Sequence, residues 1–156
     1  MTTATIEETK EETSFDINDL EFLKLKFPRL IPHQLIENVK GKFYTPDQFY
    51  KYQEEQVKFQ NPDNLLYVLV DKDKKIHGYL WAEISGINGC MFINTFSIDK
   101  EYWHKGRIIA KVTAFLEALR QRHECPRVYW ITTNEKFFTK HGFKRSKNIL
   151  MEYNSN

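Results

Sequence analysis

The sequence predicts a single α/β (α+β) domain built on a mixed central sheet, with an antiparallel N-terminal meander, a parallel pair that splays apart, and flanking helices. Three observations predict it. Three apolar runs, at 65–70, 76–84 and 90–98, are separated only by short polar or glycine-containing turns, the pattern of strands joined by hairpins. A long amphipathic segment follows and leads directly into another apolar run, so that run and the strand at 90–98 are joined through a helix, which implies a parallel pair in a right-handed crossover. Finally, 156 residues without repeats or low-complexity linkers suffice for one core and leave little for a second.

Residues 1–13 (MTTATIEETKEET) carry four glutamates and almost no hydrophobic side chains, so they predict an unstructured acidic tail, with residues 14–156 forming the domain. A protein partner is the natural agent for ordering such a tail. From Asp16 to Phe27 the spacing of Ile17, Leu20, Leu23, Leu25 and Phe27 predicts a helix ended by Pro28. Pro32 opens a second short helix with Leu35, Ile36 and Val39 on one side, stopped at Gly41. Thr45, Pro46 and Gln48 form a capping-box pattern at the head of a third, with Phe49, Tyr52, Gln56 and Phe59 at helical spacing up to Asn61-Pro62.

Leu65–Val70 reads as a central strand ending in the polar turn Asp71-Lys72-Asp73-Lys74-Lys75. Ile76–Ile84 is its hairpin partner, Ser85–Gly89 a second turn, and Cys90–Ile98 a third strand. In Arg107–His123, Ile108, Ile109, Val112, Phe115, Leu116 and Leu119 line one face and Lys111, Glu117, Arg120 and Gln121 the other. Val128–Thr132 is the strand after the crossover. Asn134–His141 is a brief helix, Gly142-Phe143 turns the chain, and Ile149–Tyr153 is expected to return as a final strand.

The bulk numbers exclude more than they assign. With 23 Lys+Arg against 21 Asp+Glu, the chain lacks the concentrated basic surface of a nucleic-acid module. Cys90 and Cys125 form neither a CxxC pair nor a disulfide framework, which fits a reduced, cytoplasmic or other intracellular setting. No run approaches 18 apolar residues and the acidic start is unlike a secretory signal, so neither a membrane nor export is expected. The five histidines show no metal-ligand spacing, and no metal is expected. There is no GxxxxGK[ST] loop and no GxGxxG fingerprint, against a nucleotide hydrolase or a dinucleotide enzyme.

The chemistry points to the stretch Phe96–Val112, where a strand passes through a basic loop with one glycine into a helix. Such a turn aims several backbone N–H groups at one spot and adds the positive end of the helix dipole, an arrangement suited to phosphate or pyrophosphate. Together with the meander, the crossover strand and the closing segment Asn134–Phe143 (NEKFFTKHGF), it resembles the GCN5-related N-acetyltransferase (GNAT) superfamily over roughly Leu65 to Tyr153. The resemblance implies acetyl-CoA as cosubstrate, lying between the splayed strands. It implies that the backbone of Phe96, Ser97 and Ile98 pairs with the pantetheine arm, and that His104, Lys105, Gly106, Arg107 and Ile108 hold the pyrophosphate, with Asn134 also on the cofactor. The family loop's three defining places hold Trp103, Gly106 and Ile108 here, of which only the glycine conforms.

The family's frequent catalytic Glu and Tyr correspond to Asn94 and Phe138, which cannot exchange protons usefully. Glu83, His77, or a water held by Asn94 and Ser97 stand as substitutes, with Glu83 and Asn94 the candidate catalytic pair. Two functions therefore stay open. One is an acyl-CoA-dependent N-acetyltransferase acting on an unidentified amine. The other is an inactive structural or adaptor subunit of the same fold in a larger assembly or oligomer, a virion among the settings considered.

Overall fold

The computed structural model describes residues 17–39, 44–103, 107–132, 135–147, 151 and 153. Five strands form one sheet in the order β1-β2-β3-β4-β5: β1 Glu21–Lys24, β2 Asn64–Val70, β3 Ile76–Ile84, β4 Met91–Ile98 and β5 Val128–Trp130. The first three pairings are antiparallel and β4–β5 is parallel, as the crossover requires. The helices are α1 His33–Glu37, α2 Pro46–Lys58, α3 Lys100–Trp103, α4 Ile108–Arg122 and α5 Glu135–Lys140.

The sheet is covered on both faces, which explains why β2 (Asn-Leu-Leu-Tyr-Val-Leu-Val) is buried at every position rather than at alternate ones. Leu65, Tyr67 and Leu69 pack with Leu80, Met91 and Ile93 beneath the α4 residues Ile109, Val112, Leu116 and Leu119. Leu66, Val68 and Val70 face the other way, onto Leu35 and Ile36 of α1 and Phe49 and Tyr50 of α2. Each such aliphatic side chain removed from water stabilises the fold by about 1.5–3 kcal/mol.

The capping box of α2 forms as its residues require: the Gln48 amide donates to Thr45 Oγ1 at 3.2 Å and the Thr45 amide to Gln48 Oε1 at 2.8 Å. Its buried face, however, is Phe49, Tyr50 and Gln53, while Tyr52 and Phe59 are exposed, so the inward stripe is rotated from the expected one. The helix expected over Asp16–Phe27 is not formed. Ile17–Asp19 is a single 3₁₀ turn, and Glu21–Lys24 is an edge strand whose Phe22 and Leu23 enter the cores on opposite faces of the sheet. Pairing Glu21↔Val70 through Lys24↔Tyr67 satisfies the outer ladder groups of a buried strand, a demand no local helix propensity can meet. Phe22 stacks flat on Phe115 of α4, with ring centroids 3.9 Å apart.

Two further differences lie near the C-terminal half. The segment after β4 contains α3, a single turn not anticipated from sequence. Of the expected strand 149–153, Met151 and Tyr153 are in no strand and the other positions lie outside the described residues, as do tail residues 1–13 and Gly41. Among the described residues, no helix is long and apolar enough to cross a membrane, and no group of three or more His, Cys, Asp or Glu side chains is placed to hold a metal ion.

Candidate active site

The site begins with an irregularity in β4. Trp81 pairs with Thr95 and Ala82 with Ile93, which leaves Asn94 as an extra residue on β4: a β-bulge. A bulge bends its strand and sharpens the local twist, and β4 diverges from β5 at this point. The parallel register is Met91↔Val128, Phe92↔Tyr129 and Ile93↔Trp130, and there it stops. Among the described residues, β4 runs on to Ile98 beyond the end of its ladder with β5, and this stretch of strand edge borders the fork. Half-buried rings line it. Phe96 and Trp130 stand edge to face at 6.1 Å, and Trp130 is met in turn by Phe138 at 4.8 Å and Phe143 at 6.2 Å. A cavity of about 290 Å³ opens along β5, lined by Trp130, Thr132, Glu135, Phe138 and Arg145 among others.

The N-terminus of α4 completes the fork's far end. Arg107 is its N-cap, its own side chain makes no capping hydrogen bond, and the Lys111 amide donates to the Arg107 carbonyl. The leading amides of a helix have no acceptor within it, so this end of α4 suits an anion. Ile108, whose branched side chain sits where the family usually has a small residue, is 2 % exposed and packed into the core, so it is turned away from that surface. An extended, hydrogen-bonding arm ending in a diphosphate fits these features: a strand edge beyond the β5 ladder leading to the first turn of α4 beside exposed Arg107. His104, Lys105, Gly106 and Asn134 lie outside the described residues.

On the opposite face of the sheet, under α2, the structure brings the two candidate catalytic residues together. Asn94 Nδ2 donates to Glu83 Oε1 at 2.6 Å, and Tyr52 Oη donates to Glu83 Oε2 at 2.7 Å. Burial, reinforced by the hydrogen bond to Glu83, pushes the Tyr52 phenol up to about 12, so at neutral pH it is a donor that holds the carboxylate and not an acid that readily yields its proton. A second line of contacts fixes the surroundings: Trp81 Nε1 donates to Asn64 Oδ1 and Asn64 Nδ2 to buried Gln53 Oε1, both at 2.8 Å. The Trp81 ring then lies 5.4 Å from that of Tyr52. Glu83 remains partly exposed, as a group that meets a substrate must.

The other proposed substitutes do not assemble. His77 is 5 % exposed with both ring nitrogens engaged by carboxylates, and it cannot reach a substrate as a base. Ser97 Oγ donates to the Leu35 carbonyl at 2.7 Å and is buried against α1, so it does not share a water with Asn94. Tyr52 was not anticipated; its spacing on α2 fitted an apolar stripe, and only the fold shows its hydroxyl aimed at Glu83.

A mixed sheet forked at a bulge, beside an uncapped helix that follows the bulged strand, defines the GCN5-related acetyltransferase class of folds. The chain belongs to the Acetyltransferase (GNAT) family, whose model matches residues 33–143. Its structure is similar to the glucosamine-6-phosphate N-acetyltransferase of Arabidopsis thaliana, at 19% identity and TM-score 0.60, covering 86% of this chain and 97% of that one. It is also similar to a spermidine N-acetyltransferase chimera from Vibrio cholerae and human enzymes, at 19% identity and TM-score 0.66 with 88% of each chain covered. A third similar structure is the aminoglycoside N-acetyltransferase AAC(6')-Iy, solved in complex with CoA, at 12% identity and TM-score 0.64, covering 88% of this chain and 95% of that one. No curated protein sequence matches the chain significantly.

Proposed function

We propose that this protein is an acetyl-CoA-dependent N-acetyltransferase acting on an amine. The observation that carries the reading is the fork after Ile93↔Trp130, with the hydrogen-bonded carboxylate of Glu83 at its mouth through Asn94. Acetyl-CoA, when bound, supplies an acetyl group on a thioester, a good electrophile whose transfer needs an unprotonated amine held in line.

This chain's residues provide the holding and the proton acceptor. The β4 edge at Phe96–Ile98, beyond the end of the β5 ladder, binds the extended arm by backbone hydrogen bonds, and the α4 amides with Arg107 take the diphosphate charge. The Phe96 and Trp130 rings exclude water from the fork. Glu83 accepts the proton released when the amine is acetylated; Asn94 and Tyr52 each hold one of its oxygens, so the carboxylate is oriented before substrate arrives. Phe138 supplies no proton, so the departing thiolate takes its proton from water.

Calorimetry with acetyl-CoA, followed by release of free CoA thiol across a panel of amines, tests the reading. Saturable binding and amine-dependent thiol release are expected. Absence of binding at millimolar acetyl-CoA would overturn it.

A further inference from the structure

The sheet face that carries Glu83 ends in a strip of apolar surface that neither the core nor the transfer chemistry uses. α1 and α2 cover this face over Leu66, Val68, Val70 and Tyr79, with Trp81 partly buried at the margin. Beyond Trp81 the cover thins. Glu83 stands directly opposite Phe92, and Phe92 directly opposite Tyr129, so the three form one row across β3, β4 and β5. Side chains paired in this way project from the same face of a sheet. The Phe92 and Tyr129 rings accordingly stack, with centroids 5.2 Å and planes 23° apart.

The exposure of this row is unusual for its place. β4 lies inside the sheet with a strand on each side, and its Met91, Ile93, Thr95 and Ser97 are buried, yet Phe92 keeps 37% of its surface in water. Ile131, two residues beyond Tyr129, keeps 71%. Adjoining apolar groups left in water beside a polar, reactive group are the mark of a ligand site. Glu83 supplies that group. Asn94 and Tyr52 each occupy one acceptor position on its two oxygens, and a carboxylate oxygen has a second, so Glu83 can still take an amine N–H. The row therefore reads as one negative charge followed by two rings. It lacks the repeated carboxylates that would hold a polycation and the run of hydrogen-bonding groups that would hold the hydroxyls of a sugar.

We propose that Phe92 and Tyr129 are specificity-determining residues for the acceptor, and that the acceptor is a primary arylalkylamine, its nitrogen at Glu83 and its flat ring against Phe92 and Tyr129. The proposal rests on the acetyltransferase reading above. Neighbouring strands lie about 4.8 Å apart, so a short alkyl link between nitrogen and ring spans the step from Glu83 to Phe92. Seating the ring removes apolar surface of both partners from water and holds the nitrogen near the bulge, where the amine must be in line with the thioester. In the transfer, the unprotonated nitrogen forms a C–N bond with the acetyl carbon and the C–S bond breaks. Glu83 takes the proton lost by nitrogen and water protonates the departing thiolate, giving the N-acetyl amine and CoA.

The test compares phenethylamine with butylamine, spermidine and glucosamine at saturating acetyl-CoA, read as release of CoA thiol. The kcat/KM of phenethylamine is expected to exceed that of butylamine by about 10–100-fold, the scale of burying one aromatic ring against others. Phe92→Thr and Tyr129→Thr keep strand-forming side chains and remove the rings. Each is expected to raise the KM for phenethylamine about tenfold with kcat little changed, the sign of lost ground-state binding. In the wild type, the Phe92 and Tyr129 ring resonances are expected to shift on titration with phenethylamine and to stay in place with butylamine, a readout that needs neither a variant nor turnover. Butylamine, spermidine or glucosamine used as efficiently as phenethylamine, an unchanged KM in both variants, or unmoved ring resonances overturns the proposal and leaves the acetyltransferase reading standing. Absence of acetyl-CoA binding overturns both.

Discussion

The two edges of β4 are put to different uses. Toward β3 it is paired along its length, from Ile84↔Met91 to Gly78↔Ile98, and only the bulge at Asn94 interrupts the ladder. Toward β5 it is paired at three positions and then released. The same eight residues are thus laddered to β3 throughout and to β5 over three positions, and the single extra residue at the bulge marks the change. Glu83, opposite Phe92 and next to this bulge, belongs to the closed edge and is tied to the bulge by the hydrogen bond from Asn94.

The largest expected effect concerns Glu83. Replacing it by Gln removes the proton acceptor while keeping a group that Asn94 or Tyr52 can still hold, so turnover with any accepted amine is expected to fall by roughly 10²–10⁴-fold. Acetyl-CoA affinity and thermal stability should barely change, since the residue is partly exposed and off the cofactor edge. An equal loss of stability would mean that the carboxylate serves the closed edge only.

Gly78 probes that closed edge directly. A Cβ at this position would lie 2.7 Å from the Ser97 carbonyl oxygen and 3.2 Å from Ile98 Cα, so β4 approaches β3 here as only glycine permits. Gly78→Ala is expected to cost about 1–3 kcal/mol, read from denaturant unfolding, and to weaken acetyl-CoA binding because the displaced atoms belong to the open edge as well.

Tyr52→Phe keeps the ring against Trp81 and deletes the hydroxyl that holds Glu83. Turnover is expected to drop about tenfold with little change in acetyl-CoA affinity. The pH dependence has a definite sign. A phenol raised from its ordinary value near 10 to about 12 favours the protonated form in the folded state, so its contribution to stability is complete below about pH 10 and is lost as pH climbs through about 12. Alkaline spectrophotometric titration of wild type against Tyr52→Phe should lose one late-titrating tyrosine. The smallest effect belongs far from the fork: Thr45→Ala breaks the α2 capping box and is expected to cost about 1 kcal/mol in thermal unfolding with activity per folded molecule retained.

What was legible in the sequence follows the reach of the interactions concerned. The three meander strands, the capping box at Thr45 and the apolar face of α4 are written in neighbouring residues, and the structure returns them within a residue or two. The crossover predicted the parallel pair for a topological reason, and the register confirms it. Glu21–Lys24 was misread because a four-residue edge strand takes its identity from β2, which lies more than forty residues away, while Leu20, Leu23 and Phe27 happen to keep helical spacing. The pairing of Glu83 with Asn94 depends on the bulge, which shifts the register by one and leaves no signature in composition. His77 was read as a possible base because sequence gives a histidine no address; burial between Asp71 and Asp99 assigns it to the framework. The departure at Ile108 likewise changes meaning once its side chain is seen in the core.

The central claim is that the released edge of β4 and the leading amides of α4 form one seat for acetyl-CoA. Amide hydrogen exchange read residue by residue, with and without saturating acetyl-CoA, tests it most directly. The account predicts new protection at Phe96–Ile98 and at the start of α4 from Ile108, with Tyr79 and Leu80 on the already paired β3 unchanged. Protection confined to other segments, or none with cofactor bound, would contradict it.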